Sequence, residues 1–133
     1  MICIVGESHA DRLFGELPTI KANYAEIDVP KAAVIVGKNG KAKVRSALGI
    51  IVDGDSCDQN IPRGIQLITC GISPKNTVSV TSRTDEKLTL SLNRSIRTEH
   101  GVIEPLEQPV DIERGVSEYD LMAAFAARLL LEK

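Results

Sequence analysis

The sequence predicts an α/β fold: a mostly parallel sheet with an antiparallel hairpin extension and a C-terminal amphipathic helix. Three observations lead to this prediction: continuous apolar runs, two segments in which apolar and polar residues alternate, and an apolar stripe at helical spacing near the end of the chain. The runs span residues 2–5, 33–36, 48–52 and 65–70, the alternating segments span residues 77–81 and 88–92, and the stripe comprises Leu121, Phe125 and Leu129.

The apolar runs lack the alternation of strands that have one wet face. Such continuous runs are typical of parallel strands that are covered on both sides. Gly6 follows the first run and predicts a tight turn, after which Ser8 can cap a helix that reaches Phe14 or Leu17. The pair Asn39-Gly40 follows the second run and favours a turn with a positive φ angle.

Two segments between these runs have a weaker pattern. Residues 20–30 are of mixed polarity and predict a loop with one short strand, and residues 41–46 fit either a short helix or the far side of a hairpin. Neither segment is assigned to the main sheet by the sequence.

The second half of the chain predicts antiparallel hairpins. The alternating segments 77–81 and 88–92 flank a connecting loop at residues 83–87, and a further hairpin can turn at residues 99–101. Pro105 and Pro109 would confine the following segment to a sheet edge, because proline donates no ladder hydrogen bond. The terminal helix is predicted to begin at the N-cap Ser117, with Asp120 three residues later as a variant of the capping box.

Length and composition predict one soluble domain over residues 1–133. The formal net charge is −2 and aromatic residues make up 3% of the chain, so neither a phosphate-attracting charge nor stacking side chains point to nucleic acid. Cys3, Cys57 and Cys70 are odd in number and widely spaced, which argues against a disulfide framework or a zinc site and favours a cytoplasmic setting. Apolar runs shorter than roughly 18 residues argue against a membrane span.

Three motifs, in order, resemble the later part of the central domain of Mur ligases, the ATP-dependent amide-forming enzymes of peptidoglycan synthesis. They are the apolar strand that runs into Asp53-Gly54-Asp55, the strand Ile68-Thr69-Cys70-Gly71 before the hairpins, and the Ala-rich helix that opens at Tyr119. The resemblance covers residues 47–131, approximately 85 of the 133 in the chain. It implies an α/β scaffold in a bacterial cytoplasm.

The residues that carry chemistry in that family are not matched. Its ATP loop has the form Gly-Thr-Asn-Gly-Lys-Thr, and the nearest segment here, Gly37 to Lys41, is followed by Ala42, which lacks the hydroxyl that would hold magnesium. The family's His-Asn pair before the terminal helix is replaced by Val116 and Ser117. The resemblance therefore implies no catalytic residue and no cofactor here, and a turn is the favoured interpretation of the loop.

Five groups of side chains remain as candidates for chemistry. The loop residues Gly37, Asn39, Gly40 and Lys41 are candidate cofactor-binding residues, and Asp53, Asp55 and Asp58 are candidate ligands for a hard cation such as Mg²⁺. Cys70 ends a predicted buried strand, where an inert thiol is the default, and His9 and His100 fall in turn or cap contexts. Lys75, Arg83, Arg94 and Arg97 can form a modest basic face.

Two hypotheses of function follow. In the first, the protein is a non-catalytic Mur ligase-like domain that binds a protein partner, a second copy of itself or a small ligand, without nucleic acid or membrane. In the second, it is a small nucleotide- or phosphate-binding enzyme that uses the turns at Gly6 to Ser8 and Gly37 to Lys41.

Overall fold

The computed structural model describes residues 1–55 and 63–131. In this part of the chain a short 3₁₀ helix, Ala10–Leu13, follows the first strand, and one α-helix, α1, spans Glu118–Leu131. The strands are β1 Ile2–Val5, β2 Thr19–Ala22, β3 Tyr24–Asp28, β4 Ala33–Val36, β5 Lys41–Ser46, β6 Gly49–Asp53, β7 Leu67–Cys70, β8 Val78–Arg83, β9 Lys87–Leu92, β10 Ile96–Thr98, β11 Gly101–Ile103 and β12 Leu106–Asp111.

The main sheet has eight strands in the order β12-β9-β8-β7-β6-β4-β1-β2. Neighbouring strands are parallel in the part of this sheet formed by β2, β1, β4, β6, β7 and β8. β9 and β12 extend the sheet with antiparallel pairs. The parallel strands share one direction, so that their carboxyl ends lie along one edge of the sheet. This edge carries the site described below.

A second, two-stranded parallel sheet covers one face of the main sheet. It pairs β3 with β5, and each of these strands leads directly into a strand of the main sheet, β4 and β6 respectively. Successive chain segments therefore stack like coils of a β-solenoid. The core between the two sheets includes Cys3 and Val5 of β1, Val34 of β4, Ile27 of β3 and Val44 of β5.

The opposite face of the main sheet is covered by α1 and the 3₁₀ helix. Leu121, Phe125 and Leu129 of α1 are at most 7% exposed, and they belong to a core that includes Ile4 of β1 and Phe14. The alternate residues of β1 thus point into two different cores. This two-sided burial is why the strand sequence is apolar at every position.

The predicted α/β class is wrong, although the main sheet is largely parallel with an antiparallel extension. The protein is mostly β, since strands account for 47% of the structure and helix for 15%, in a β-solenoid-like arrangement with one C-terminal helix. A continuous apolar run indicates that both faces of a strand are buried, but it does not indicate whether a helix or another strand packs on each face. Here the second face is covered by β3 and β5.

Local predictions had mixed outcomes. The β8–β9 hairpin, the β10–β11 hairpin and the edge position of Pro109 in β12 are confirmed. Ser117 caps α1 as predicted, because its Oγ accepts the Asp120 N–H at 3.0 Å. The helix expected after Ser8 is only the short 3₁₀ helix, and residues 41–46 form a parallel strand rather than a helix or one side of a hairpin.

Candidate ligand cleft

A cleft of about 1090 Å³ opens at the carboxyl ends of β1, β2, β4 and β6, beside the first turn of α1. Ligands of open parallel sheets commonly bind at this edge. The lining residues are Gly6, Glu7, Ser8, His9, Lys21, Asn23, Val36, Gly37, Lys38, Asn39, Gly40, Lys41, Val52, Asp53, Ser117, Tyr119 and Asp120.

The floor of the cleft is a turn from Gly37 to Gly40 that packs on the segment after β1. The Gly40 N–H donates to the Gly37 carbonyl at 3.1 Å, and Asn39 has a φ angle of 61°, which confirms the positive φ predicted from the sequence. A Cβ atom at Gly40 would lie 2.1 Å from the Val5 carbonyl oxygen, so only glycine permits this contact between two backbones.

Four amides of this loop, those of Gly37, Lys38, Gly40 and Lys41, donate to carbonyl groups within the protein. The N–H of Gly37 donates to the Val5 carbonyl at 2.7 Å, that of Lys38 to the Glu7 carbonyl at 3.1 Å, and that of Lys41 to the Asn23 carbonyl at 3.2 Å. A phosphate-binding loop works through backbone N–H groups that point at the ligand. These amides are already bonded, so they do not form such a cradle.

The first turn of α1 closes one side of the cleft. Asp120 is 5% exposed; its Oδ1 accepts the Ser8 hydroxyl at 2.7 Å and its Oδ2 accepts the His9 N–H at 3.1 Å. The Tyr119 hydroxyl lies 2.7 Å from the Val36 carbonyl oxygen. These bonds connect the start of α1 to the ends of β1 and β4 and so position the cleft wall.

Most charged side chains of the lining have a partner within the protein. Lys21 forms an ion pair at 3.3 Å with Asp11, which is not a lining residue. The Glu7 carboxylate accepts the Asn39 amide at 3.3 Å, and Asp53 accepts the Asp55 N–H at 2.9 Å.

Lys38 and Lys41 differ from these residues. Both are exposed, and in the part of the chain that the structure describes neither ammonium group has a hydrogen-bond or ion-pair partner. Hydrogen bonds from neutral donors do not cancel the charge of a carboxylate, so Lys38 and Lys41 are a local pair of cations in a lining that also holds the carboxylates of Glu7, Asp53 and Asp120.

Cys70 lies beside the cleft strands but does not line the cleft. It is fully buried, and its β7 position is paired with Asp53 of β6. Burial raises the pKa of the Cys70 thiol far above its usual range, and the negative charge of Asp53 adds to the increase. The thiol is therefore held in its neutral form, which is neither a nucleophile nor a metal ligand.

The structure brings together several of the residues singled out in the sequence. Gly37, Asn39, Gly40 and Lys41 line the cleft, as does Asp53. Asp55 is exposed and is not among the lining residues, and Asp58 lies outside the described residues. Among residues 1–55 and 63–131, no group of three or more His, Cys, Asp or Glu side chains is arranged to hold a metal ion.

The histidine and basic candidates do not come together in one site. His9 lines the cleft, whereas His100 lies in the turn between β10 and β11. Arg83 forms an ion pair with Glu118 at 2.9 Å, and Arg94 donates to the Lys75 carbonyl at 2.6 Å.

Sequence reasoning missed the cleft residues whose place depends on strand order. Lys21 and Asn23 reach the site because β2 lies parallel to β1, and Tyr119 reaches it because α1 starts above β4 and β6. Asp120 was recognised only as a capping residue. The second role of Asp120 could have been suspected from Ser8, which follows an apolar strand, because a hydroxyl that is buried there must find a hydrogen-bond partner.

Comparison with known proteins gives no relative for this chain: no family model, curated protein or solved structure matches it. Among the described residues, no helix is long and apolar enough to cross a membrane.

Proposed function

We propose that this protein is a non-catalytic binding domain whose cleft holds a small anionic ligand, a phosphate or a carboxylate, between Lys38 and Lys41. The observation that carries the proposal is a pair of ammonium groups that have no partner among the described residues, in a cleft where the other charged side chains are engaged. An anion would supply the partner that these two ammonium groups lack.

The chemistry of lysine defines the class of ligand. An ammonium group is a compact charge with rotatable donors, and it binds phosphate and carboxylate oxygens without the fixed geometry of a guanidinium. Both side chains are exposed, so water screens their charge and the binding is expected to be of modest strength. The neighbouring amide groups of Asn23 and Asn39 supply polar contacts for the remainder of a small ligand.

Binding without turnover is supported by the roles of the nearby groups. Turnover of a nucleotide would require a phosphate cradle and a metal-holding hydroxyl, whereas the loop amides are bonded to carbonyls and Ala42 follows Lys41. Asp120, the buried carboxylate of the lining, holds Ser8 and the His9 amide in place. The enzyme hypothesis therefore receives no specific support from this cleft.

Kinship with the central domain of Mur ligases is part of the proposal, together with a bacterial cytoplasmic setting. It is supported by the order of the three sequence motifs. These motifs correspond to β6, β7 and α1, of which β6 and β7 are paired strands and α1 packs across both. In this interpretation the domain keeps a scaffold and has lost the ATP reaction.

The proposal is tested by titrating ¹⁵N-labelled protein with inorganic phosphate, acetate and ATP with magnesium, at constant ionic strength set by chloride. We expect saturable shifts of the Lys38, Lys41 and Asn23 amide signals with phosphate or acetate, and no tighter binding of ATP. The comparison of phosphate with acetate identifies the ligand class. Absence of any response in the cleft, or much tighter binding of ATP with magnesium, would contradict the proposal.

A further inference from the structure

The turn that forms the cleft floor contains Asn39-Gly40, the one Asn-Gly pair in the sequence. Asparagine is chemically labile before glycine, because glycine has no side chain that would keep its backbone nitrogen away from the asparagine side chain. Asn39 is exposed and lines the cleft, and its side-chain amide donates to the Glu7 carboxylate at 3.3 Å. A pair with its own covalent chemistry therefore lies at the proposed anion site.

Deamidation of such a pair takes place within the chain. The Gly40 nitrogen loses its proton to a base in solution and attacks Cγ, the side-chain carbonyl carbon of Asn39. As the new N–C bond closes a succinimide ring, the bond from Cγ to the side-chain nitrogen breaks and ammonia leaves. Water then opens the ring at either carbonyl, which leaves aspartate or isoaspartate in place of Asn39. The reaction therefore requires the Gly40 nitrogen to reach Cγ.

The folded turn keeps these two atoms apart. The φ angle of Asn39 is 61°, in the left-handed region, where ψ is about +30 to +60°. At such ψ angles the Gly40 nitrogen lies nearly anti to the Asn39 Cβ, on the far side from Cγ. The Gly40 N–H also donates to the Gly37 carbonyl at 3.1 Å, which retains the proton that the reaction must remove. Attack on Cγ therefore requires the turn to open.

We propose that Asn39 is a modification site controlled by this turn: it deamidates only when the turn opens, and its deamidation weakens anion binding in the cleft. The effect on binding rests on the proposed function. Aspartate would replace the amide donor beside Glu7 with a second carboxylate, where the donor and acceptor are now 3.3 Å apart. Its charge would also compete with the ligand for the ammonium groups of Lys38 and Lys41, which lie on either side of it in the sequence.

The isoaspartate product would prevent the turn from closing again. Isoaspartate lengthens the backbone before Gly40 by one carbon atom. Gly40 is packed so closely that a Cβ there would lie 2.1 Å from the Val5 carbonyl oxygen and 2.9 Å from the Gly6 Cα. This contact leaves no space for an additional atom, so opening of the turn would be recorded as a lasting loss of the cleft floor.

Peptide mapping by mass spectrometry tests the control by the turn. The whole protein is incubated in mildly alkaline buffer, either folded or in guanidinium chloride, and the deamidated fraction of Asn39 is followed with time. We expect deamidation to be at least about tenfold slower in the folded protein, because a reaction that needs local opening is slowed by the small open fraction. Asn23 lines the same cleft but precedes Tyr24, and it should react slowly in both states. Equal rates for Asn39 in the two states would overturn the proposal.

Two isosteric charge variants test the effect on the cleft. Asn39→Asp reproduces the aspartate product, and the control Gln108→Glu adds the same charge at an exposed position of β12 outside the cleft lining. In phosphate and acetate titrations we expect Asn39→Asp to weaken binding about three- to fivefold and Gln108→Glu to weaken it less than about 1.5-fold. Binding by Asn39→Asp that equals that of a binding parent would overturn the effect on the cleft. If the parent binds neither anion, this effect fails together with the proposed function, and the rate comparison still decides whether the turn controls deamidation.

Discussion

The Ser8 hydroxyl donates a 2.7 Å hydrogen bond to Oδ1 of Asp120 across 112 residues of sequence. The same carboxylate accepts the His9 N–H through its other oxygen, and the Asp120 N–H donates to the Ser117 hydroxyl. Ser117 therefore caps α1, while the buried Asp120 carboxylate ties the first turn of the helix to the segment after β1. This carboxylate, together with the Tyr119 hydroxyl bonded to the Val36 carbonyl, positions the cleft wall.

Removing that carboxylate should be costly. Asp120→Ala would leave the buried Ser8 hydroxyl and the His9 amide without their acceptor, so we expect a loss of about 2 to 4 kcal/mol in the free energy of unfolding. Glu118→Ala, in the same first turn of α1, removes an exposed ion pair with Arg83 and should cost less than about 1 kcal/mol. Urea denaturation of both variants checks the difference; equal losses would show that the Ser8 bond does not stabilise the fold.

Comparison of alanine substitutions at Gly6 and Gly64 tests how tightly Gly6 packs against the turn from Gly37 to Gly40. Both have a positive φ angle, 98° and 86°, but a Cβ at Gly6 would lie 2.5 Å from the Gly40 Cα, whereas nothing lies within 4 Å of one at Gly64. Each alanine substitution carries the backbone cost of about 1 to 2 kcal/mol, and Gly6→Ala should lose a further 1 to 3 kcal/mol, approximately, from overpacking. Thermal or chemical denaturation of the two variants measures this extra loss.

Cys70 gives a prediction that depends on pH. Its pKa is raised by burial, so the thiolate, which is the reactive form, should be absent from the folded protein even at pH 9. In a Cys57→Ser variant we expect alkylation by iodoacetamide to be slow in buffer and to reach Cys3 and Cys70 rapidly in urea at the same pH. Fast native alkylation of Cys70, located by mass spectrometry, would mean that β7 opens or that the thiol is activated.

The terminal helix should supply a large share of the stability. Phe125 is 5% exposed in the core beneath α1, and truncating a buried Phe costs about 3 to 5 kcal/mol. We expect Phe125→Ala to be mostly unfolded or insoluble near body temperature, while Val102→Ala on exposed β11 stays within about 0.5 kcal/mol of the parent. A denaturation midpoint near that of the parent would show that α1 does not pack on the sheet. Lys133, the other surface position considered from the sequence, lies outside the described residues.

The strands that could be predicted from sequence are those whose burial leaves an unambiguous pattern. Ile2 to Val5 and Ala33 to Val36 are apolar at every position because cores lie on both sides of them. By contrast, β3 and β5 bury one face only and carry charges such as Glu26 and Lys43 on the other. Their short, mixed pattern predicts loop, helix or hairpin and does not reveal the second sheet, which is why the predicted fold class is wrong.

The site was predictable only in pieces. The turn at Asn39 follows from local backbone preference, and its positive φ angle needs no tertiary information. The meeting of that turn with Gly6, Lys21 and Asp120 depends on strand order, which places β1 between β2 and β4. Local sequence patterns do not encode this order, so the cleft becomes visible only in the folded chain.

The most direct test of the proposed function compares two double variants in the phosphate and acetate titrations. Lys38→Ala/Lys41→Ala removes the cleft cations, and the control Lys43→Ala/Lys75→Ala removes the same charge from exposed positions outside the cleft. We predict that the first variant weakens anion binding about tenfold, the equivalent of about 1.4 kcal/mol, and that the control changes it less than about twofold. Equal losses in the two variants would contradict the account, because binding would then reflect net charge and not the cleft.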